Sequence, residues 1–180
     1  MDPAGLRFCP RCGAGGYGYH DGKFWRCDSC GFRHYHNVAA SASVIVEIGG
    51  RVLTVVRGKD PGKGLLSLPG GFIDPDERAE DAAVRECREE AGVDVTDLSF
   101  VGSWPNDYEY GSVLYKTCDL YFSARAAYVP RLEAHRPEAH GSGEVAGIEL
   151  IDPEDIESAP IAFESARRAL LAWRLRARGH

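Results

Sequence analysis

The sequence predicts an α/β (α+β) fold, a mixed sheet with helices packed on its faces, preceded by a small cysteine-built module. Three observations predict it. Residues 44–48 and 52–56 are β-branched apolar runs split by Gly49-Gly50, a hairpin signal. Residues 78–91 and 161–178 carry helical patterns, with Gly92 as a stop after the first and Phe163, Ala166, Leu170 and Trp173 in step along the second. The first 36 residues have no helical period and are rich in glycine, cysteine and aromatic side chains.

The remaining elements follow in order. Lys59 to Gly64 is a Gly/Pro/Lys turn, and residues 65–68 form a short strand ended by Pro69-Gly70-Gly71. Residues 98–104, 113–124 and 145–151 read as strands, with polar residues 131–143 as a loop. Asp152-Pro153-Glu154 opens a short helical turn. Elements alternate irregularly and two strand pairs look antiparallel, which is why the sheet is mixed. The domains expected are 1–36 and 37–180.

Composition narrows the function classes. The chain has 180 residues, 44% apolar and 27% charged, as in a globular protein. No apolar run is long enough to span a bilayer, so no membrane partner is expected. The N-terminus lacks a basic start followed by an apolar stretch, and a cytoplasmic location is the expectation. Net charge is −6, which disfavours long nucleic acids but suits carboxylates that collect metal ions. Residues 1–36 depart from this balance: five cations face three carboxylates, leaving about −8 for the rest.

Glu86, Glu89 and Glu90 stand at i, i+3 and i+4 and share one helical face. Like charges so placed repel, and the arrangement makes physical sense around a divalent ion with oxygen ligands, Mg2+ or Mn2+. The opposite face carries Ala79, Ala83 and Cys87, small enough to dock on a sheet. The competing reading is a solvated acidic face, which three glutamates alone do not displace. The wider pattern does. It runs Gly71, five residues, Glu77, seven residues, then Arg85-Glu86-Cys87-Arg88-Glu89-Glu90-Ala91-Gly92-Val93.

That pattern resembles the Nudix box. The resemblance implies a Nudix-type α/β/α sandwich and a pyrophosphohydrolase that cleaves the diphosphate bond of a nucleoside diphosphate linked to another moiety. It implies that Glu89 and Glu90 bind metal, and that Glu86 is a ligand or the base that activates water. Arg85 and Glu77 orient the cluster, and a backbone carbonyl near Gly70 or Gly71 adds a ligand. A glutamate at Glu144 returns to the metal site in similar proteins; an ordinary loop carboxylate is the alternative. Cys87 departs from the Ile, Leu or Val usual at its position, which bears on packing more than on chemistry.

Cys9-Pro10-Arg11-Cys12-Gly13 and Cys27-Asp28-Ser29-Cys30-Gly31 place thiolates in pairs on tight turns, fourteen residues apart. Cys9, Cys12, Cys27 and Cys30 suit tetrahedral Zn2+ with no open position, hence a structural zinc ribbon. A redox Cys-x-x-Cys is the alternative, and two pairs in one module argue against it. His20, His34 and His36 read as loop or packing residues rather than ligands. Ribbon plus box, joined by Phe32-Arg33-His34-Tyr35-His36-Asn37, is similar to the zinc-ribbon Nudix group that includes NADH and ADP-ribose pyrophosphatases. The Ser-Gln-Pro-Trp-Pro-Phe-Pro run of the NADH-cleaving members is replaced by Gly102-Ser103-Trp104-Pro105-Asn106-Asp107-Tyr108. ADP-ribose or a nucleotide sugar is therefore favoured as substrate, with NAD(H) or NAD-capped RNA second. A non-catalytic RNA- or protein-binding module is the reading from another class.

Trp104, Tyr108 and Tyr110 fall in an expected Pro/Asn/Gly loop, where they either stack on a base or cover the core or a homodimer interface. Arg57 ends a strand before the Gly/Lys turn and either clamps a phosphate or is a solvated cation. Arginines 167, 168, 174, 176 and 178 read as a solvated helix face, with contact to RNA as the alternative.

Overall fold

A computed structural model describes residues 5–111, 113–128 and 143–178. Two compact units result: one holds the chain up to Ala39 together with Asp107–Lys116, the other Ala40–Asn106 and the chain from Thr117 onward.

In the first unit, β1 (Tyr17–His20), β2 (Phe24–Cys27) and β3 (Arg33–Tyr35) form an antiparallel sheet in sequence order. Its core is small: Cys9, Tyr17, Trp25 and Cys27 are buried, with Ala14, Tyr19 and Phe32 against them. So few apolar groups cannot hold a fold of this size without a staple.

The second unit is built on β4 (Ala39–Ile48) and β5 (Arg51–Arg57), joined at the predicted Gly49-Gly50 turn, where both glycines have positive φ. Around them lie β6 (Leu66–Ser67), β7 (Gly70–Phe72), β8 (Asp94–Tyr110) as far as Asn106, β9 (Val113–Tyr128) from Thr117 and β10 (Val145–Ile151). The strand order is β10-β5-β4-β9-β8, with β6 on β5 and β7 on β4.

Both faces of the central strands are apolar, and each face finds a helix. Val44, Val46, Leu53 and Val55 pack with Ala82, Ala83, Cys87 and Ala91 of α1 (Ala79–Ala91). Ile45 and Val52, one residue out of step, pack with Ala166, Ala169 and Leu170 of α2 (Glu164–Arg178). Period-two alternation thus feeds two cores, and the mixed α/β/α sandwich expected from the sequence is what forms. Cys87 is fully buried and its thiol is pushed up to about 12 by that burial, so it fills space as a small hydrophobe. Gly92 closes α1 in the left-handed conformation, donating to the Arg88 carbonyl.

Three expectations need correction. Trp104 to Tyr110 is not a loop: β8 runs on to Tyr110. It lies at the edge of the sheet order, where a proline such as Pro105 is tolerated. The last helix begins at Glu164 rather than 161, because the chain before it pairs with β6. Leu66 N–H donates to the Pro160 carbonyl and Ala162 N–H to the Leu66 carbonyl. Arg167 and Arg174 are not merely solvated. Arg167 donates to the carbonyls of Glu157 and Ala159, and Arg174 to that of Pro153, tying α2 to the 3-10 turn Pro153–Glu157. The loop expected at 131–143 lies outside the described residues except for Gly143. Among the described residues no helix is long and apolar enough to cross a membrane.

Candidate active site

The site begins with a backbone constraint. β7 pairs with β4, Ala42 opposite Gly71 and Ser43 opposite Gly70, and α1 lies across it. A Cβ on Gly70 would stand 2.6 Å from the Ala42 carbonyl oxygen, and one on Gly71 would run into the Glu86 carboxylate. Gly70 is required because backbone of β4 closes on it, whereas a Cβ at Gly71 would displace the end of the Glu86 side chain; neither turns on an unusual φ.

The carboxylates are then held from two sides. Gly70 N–H donates to Glu90 Oε2 at 3.0 Å. Arg85 acts as a hub: Nε and Nη2 grip the two oxygens of Glu77 at 2.8 and 2.9 Å, and Nη1 donates to Glu86 Oε1 at 2.7 Å. Nη1 also reaches Glu89 at 3.4 Å and Nη2 the Phe72 carbonyl at 3.3 Å. The Glu77 carboxylate accepts from Asp74 N–H at 3.0 Å as well, which anchors the loop before α1. A planar, two-sided guanidinium suits this task; a lysine ammonium could not hold Glu77 and Glu86 at once.

The electrostatics separate the glutamates. Hydrogen bonds from Arg85, then from Asp74 N–H, bring Glu77 down to about 2. Glu90 goes the other way, to about 8, mainly through burial and further through the charges of Glu86 and Glu144, with Gly70 N–H and Arg57 opposing. Glu86 is raised by burial, against Arg85, with Glu89 and Glu144 adding to the rise. Glu86 is only 14% exposed, whereas Glu89 is 51% exposed at the rim. A carboxylate set that resists full ionisation on its own fits a hard divalent cation, whose charge reverses that preference.

The structure brings Gly70, Gly71, Glu77, Arg85, Glu86, Glu89 and Glu90 together. Glu144 joins through topology: β10 pairs with β5 with Val145 opposite Arg57, and Gly58 N–H donates to the Glu144 carbonyl at 2.7 Å. Arg57 is neither free clamp nor solvated cation. Its guanidinium lies 4.8 Å over the Phe163 ring, and Nε donates to the Pro61 carbonyl at 2.7 Å. Trp104 is set apart, edge-on to Tyr121 at 5.7 Å and packed against the α2-side core. Tyr108 and Tyr110 belong to the other unit.

Cys9, Cys12, Cys27 and Cys30 converge, with all four sulfurs within 4.8 Å of one another. The Cys9–Cys30 and Cys12–Cys27 separations are 3.8 and 3.7 Å. That matches the edge of a tetrahedron with metal–sulfur bonds of about 2.3 Å, which is about 3.8 Å. Gly13 and Gly31 adopt positive φ and donate to the carbonyls of Cys9 and Cys27. Backbone N–H groups of Cys30 and Ser29 lower Cys27 to about 7, partly offset by burial. Amides of Ser29 and Cys30 thus face the Cys27 sulfur. Among the described residues the glutamates form no set as tight as the thiols. The histidines are packing groups: His34 and His36 lie against Trp25, and His36 Nδ1 is 2.9 Å from the Tyr19 hydroxyl.

Sequence reasoning missed one polar cluster. Asp119 on β9 is buried and accepts from Ser41 at 2.8 Å, Thr117 at 2.7 Å and Ser165 at 2.7 Å. The only signal was an acidic residue inside an otherwise strand-like run.

The fold and the α1 carboxylates place this molecule among proteins with a Nudix domain. The Nudix-domain family profile matches residues 36–174, and the chain belongs to that family. It is similar to the NAD-capped RNA hydrolase NudC of Pseudomonas aeruginosa (strain LESB58), 36% identical over 101 residues, 55% of this chain and 36% of that protein. The counterpart from Pseudomonas putida (strain W619) is 38% identical over the same length and shares. The match thus spans about a third of these relatives' length. Among solved structures, a Nudix hydrolase from Nitrosomonas europaea superposes with a TM-score of 0.63 at 23% identity, covering 92% of this chain and 88% of that one. The Nudix domain of Shewanella oneidensis NrtR, crystallised with ADP-ribose, gives 0.60 at 20% identity, covering 78% and 89%.

Proposed function

We propose that the chain is a divalent-metal-dependent Nudix pyrophosphohydrolase that cleaves the diphosphate of an ADP-ribose-like or nucleotide-sugar substrate. The observation that carries the reading is the Arg85 hub, which ties Glu86, on the face of α1 that also presents Glu90, to Glu77 in the loop before the helix. Glu86, Glu89, Glu90, Glu144 and a carbonyl of Gly70 or Gly71 are the candidate ligands for Mg2+ or Mn2+. Bound there, the ion would neutralise diphosphate charge and acidify a water. Glu86 is placed to accept the proton, with Arg85 and Glu77 as its positioning residues.

Cys9, Cys12, Cys27 and Cys30 are proposed to hold one structural Zn2+. The four thiols call for a reducing compartment, the cytoplasm. The ribbon over 1–36 and the hydrolase domain over 37–180 are proposed as the two functional domains.

A second substrate reading, NAD(H) or an NAD-capped RNA, is favoured by the name of the P. aeruginosa relative. The replaced NADH-type run, lying along β8, weighs against it. A panel of ADP-ribose, nucleotide sugars, NADH and NAD-capped RNA, each with Mg2+ or Mn2+, decides between them. Metal-dependent release of AMP from ADP-ribose, lost in Glu86→Gln and Glu90→Gln by orders of magnitude, is the expected result. An inert protein across the panel, or full activity in Glu86→Gln, sinks the proposal and leaves a binding module on a Nudix scaffold. Metal analysis is expected to find about one zinc per chain.

A further inference from the structure

We infer that the outer face of the three-stranded ribbon is a docking platform for single-stranded nucleic acid. The inference starts from register. Tyr17, Tyr19, Trp25 and Cys27 share the inner face, so Gly18, His20, Phe24 and Arg26 share the other. Phe24 is paired with Tyr35 and Arg26 with Arg33, which extends that outer face across all three strands.

Two rows result. One is aromatic: His20 stacks on Phe24 at 5.7 Å with planes 23° apart, and Phe24 meets Tyr35 at 5.6 Å. The next is Gly18, Arg26 and Arg33 in register. Tyr35 is 54% exposed, and Arg26 and Arg33 are exposed too. The Tyr35 ring is therefore open to a partner beside two cations.

The cation row is the stronger observation. Arginines directly opposite each other on neighbouring strands repel and cost stability. Asp28 relieves little of this, since it lies 3.9 Å from Arg26 and is itself 70% exposed. An anion between the two guanidiniums removes the repulsion. The Arg33 guanidinium also sits 5.2 Å over the Phe24 ring, which binds the two rows into one surface.

Nucleic acid supplies both partners at once. Phosphates answer the arginines, and unpaired bases answer the rings, since every base has a π-face. A duplex does not, because its bases are already stacked on each other. Residues that carry the platform take no part in the Nudix carboxylate site, so the inference stands apart from the hydrolase reading.

Fluorescence anisotropy with a short labelled RNA tests it, using zinc-loaded full-length protein without added magnesium or manganese. Single-stranded RNA is expected to bind better than a duplex of equal length. Tyr35→Ala is expected to weaken binding about tenfold, while Tyr35→Phe retains it. Arg33→Gln is expected to reduce the slope of log K against log salt by about 0.7, one phosphate contact on a single strand. Zinc content and Trp25 emission report whether each variant keeps its ribbon. Absence of binding by the wild type overturns the platform. So does affinity that is equal for duplex and single strand and unchanged in both Tyr35→Ala and Arg33→Gln.

Discussion

The Glu86 carboxylate occupies the space that a side chain on Gly71 would fill. The position of the proposed base is therefore set by the absence of an atom on β7 as much as by its own helix. Gly71→Ala is expected to displace Glu86 while leaving the two cores untouched, because residue 71 lies in neither. A displacement near 1 Å at a reacting group costs on the order of a hundredfold in rate. The expected outcome is a fall in kcat of about that size with a melting temperature close to wild type. Unchanged kcat would mean that Glu86 has room to spare.

Arg85 and Glu77 form the fork that steadies Glu86. Glu77 titrates near 2, below its ordinary 4.5, because the folded protein hydrogen-bonds its charged form. A depressed carboxylate contributes stability that is present above about 4.5 and is lost as pH falls through about 2. Carboxyl 13C shifts are expected to show Glu77 titrating near 2 in the wild type and moving up towards 4.5 in Arg85→Gln, where the Asp74 N–H still holds it partly down. Arg85→Lys keeps the charge but not the fork, so its kcat is expected to fall about as far as that of Arg85→Gln. Lysine rescue of kcat would show that charge alone positions Glu86.

What the sequence made legible was local. The carboxylate helix, both cysteine knuckles and the Gly49-Gly50 hairpin each fit within a short window, where spacing translates directly into geometry. Trp104 was misplaced because Pro105, Asn106 and Gly111 are local turn signals, and an edge strand tolerates them. The surroundings of Arg57 were not legible because Phe163 and Pro61 come from chain segments whose approach no spacing records. Asp119 went unseen for the same reason: its donors sit on β4, β9 and α2, brought together only by the sandwich.

Asp119 offers a test of that long-range cluster. Three hydroxyls donate to its carboxylate, and Ser165 also accepts from Tyr121 at 2.9 Å. Asp119→Ala leaves three buried or half-buried hydroxyls without their acceptor, and a destabilisation of about 3 kcal/mol is expected in urea unfolding. Ser165→Ala is expected to cost less, about 1–2 kcal/mol, because Ser41 and Thr117 still donate to Asp119 Oδ1 and only Oδ2 loses its donor. The double variant is expected to fall short of the sum, as members of one network do. Additive losses would separate Ser165 from the cluster.

Glu144 distinguishes binding of the metal from the chemistry it supports. It lies on the segment before β10, whereas Glu86 and Glu90 are on α1, yet its charge raises both of them. A divalent ion among the three turns that repulsion into shared attraction, so removing one charge weakens the ion's hold. Arg85 grips Glu86 without help from Glu144, and the geometry of the proposed base survives the change. Glu144→Gln is therefore expected to raise the Mg2+ concentration giving half-maximal activity by about tenfold, with kcat at saturating Mg2+ changed far less. Glu86→Gln is expected to behave oppositely, with kcat lost at every Mg2+ concentration. A Glu144→Gln variant with wild-type Mg2+ dependence would return this residue to the class of ordinary loop carboxylates.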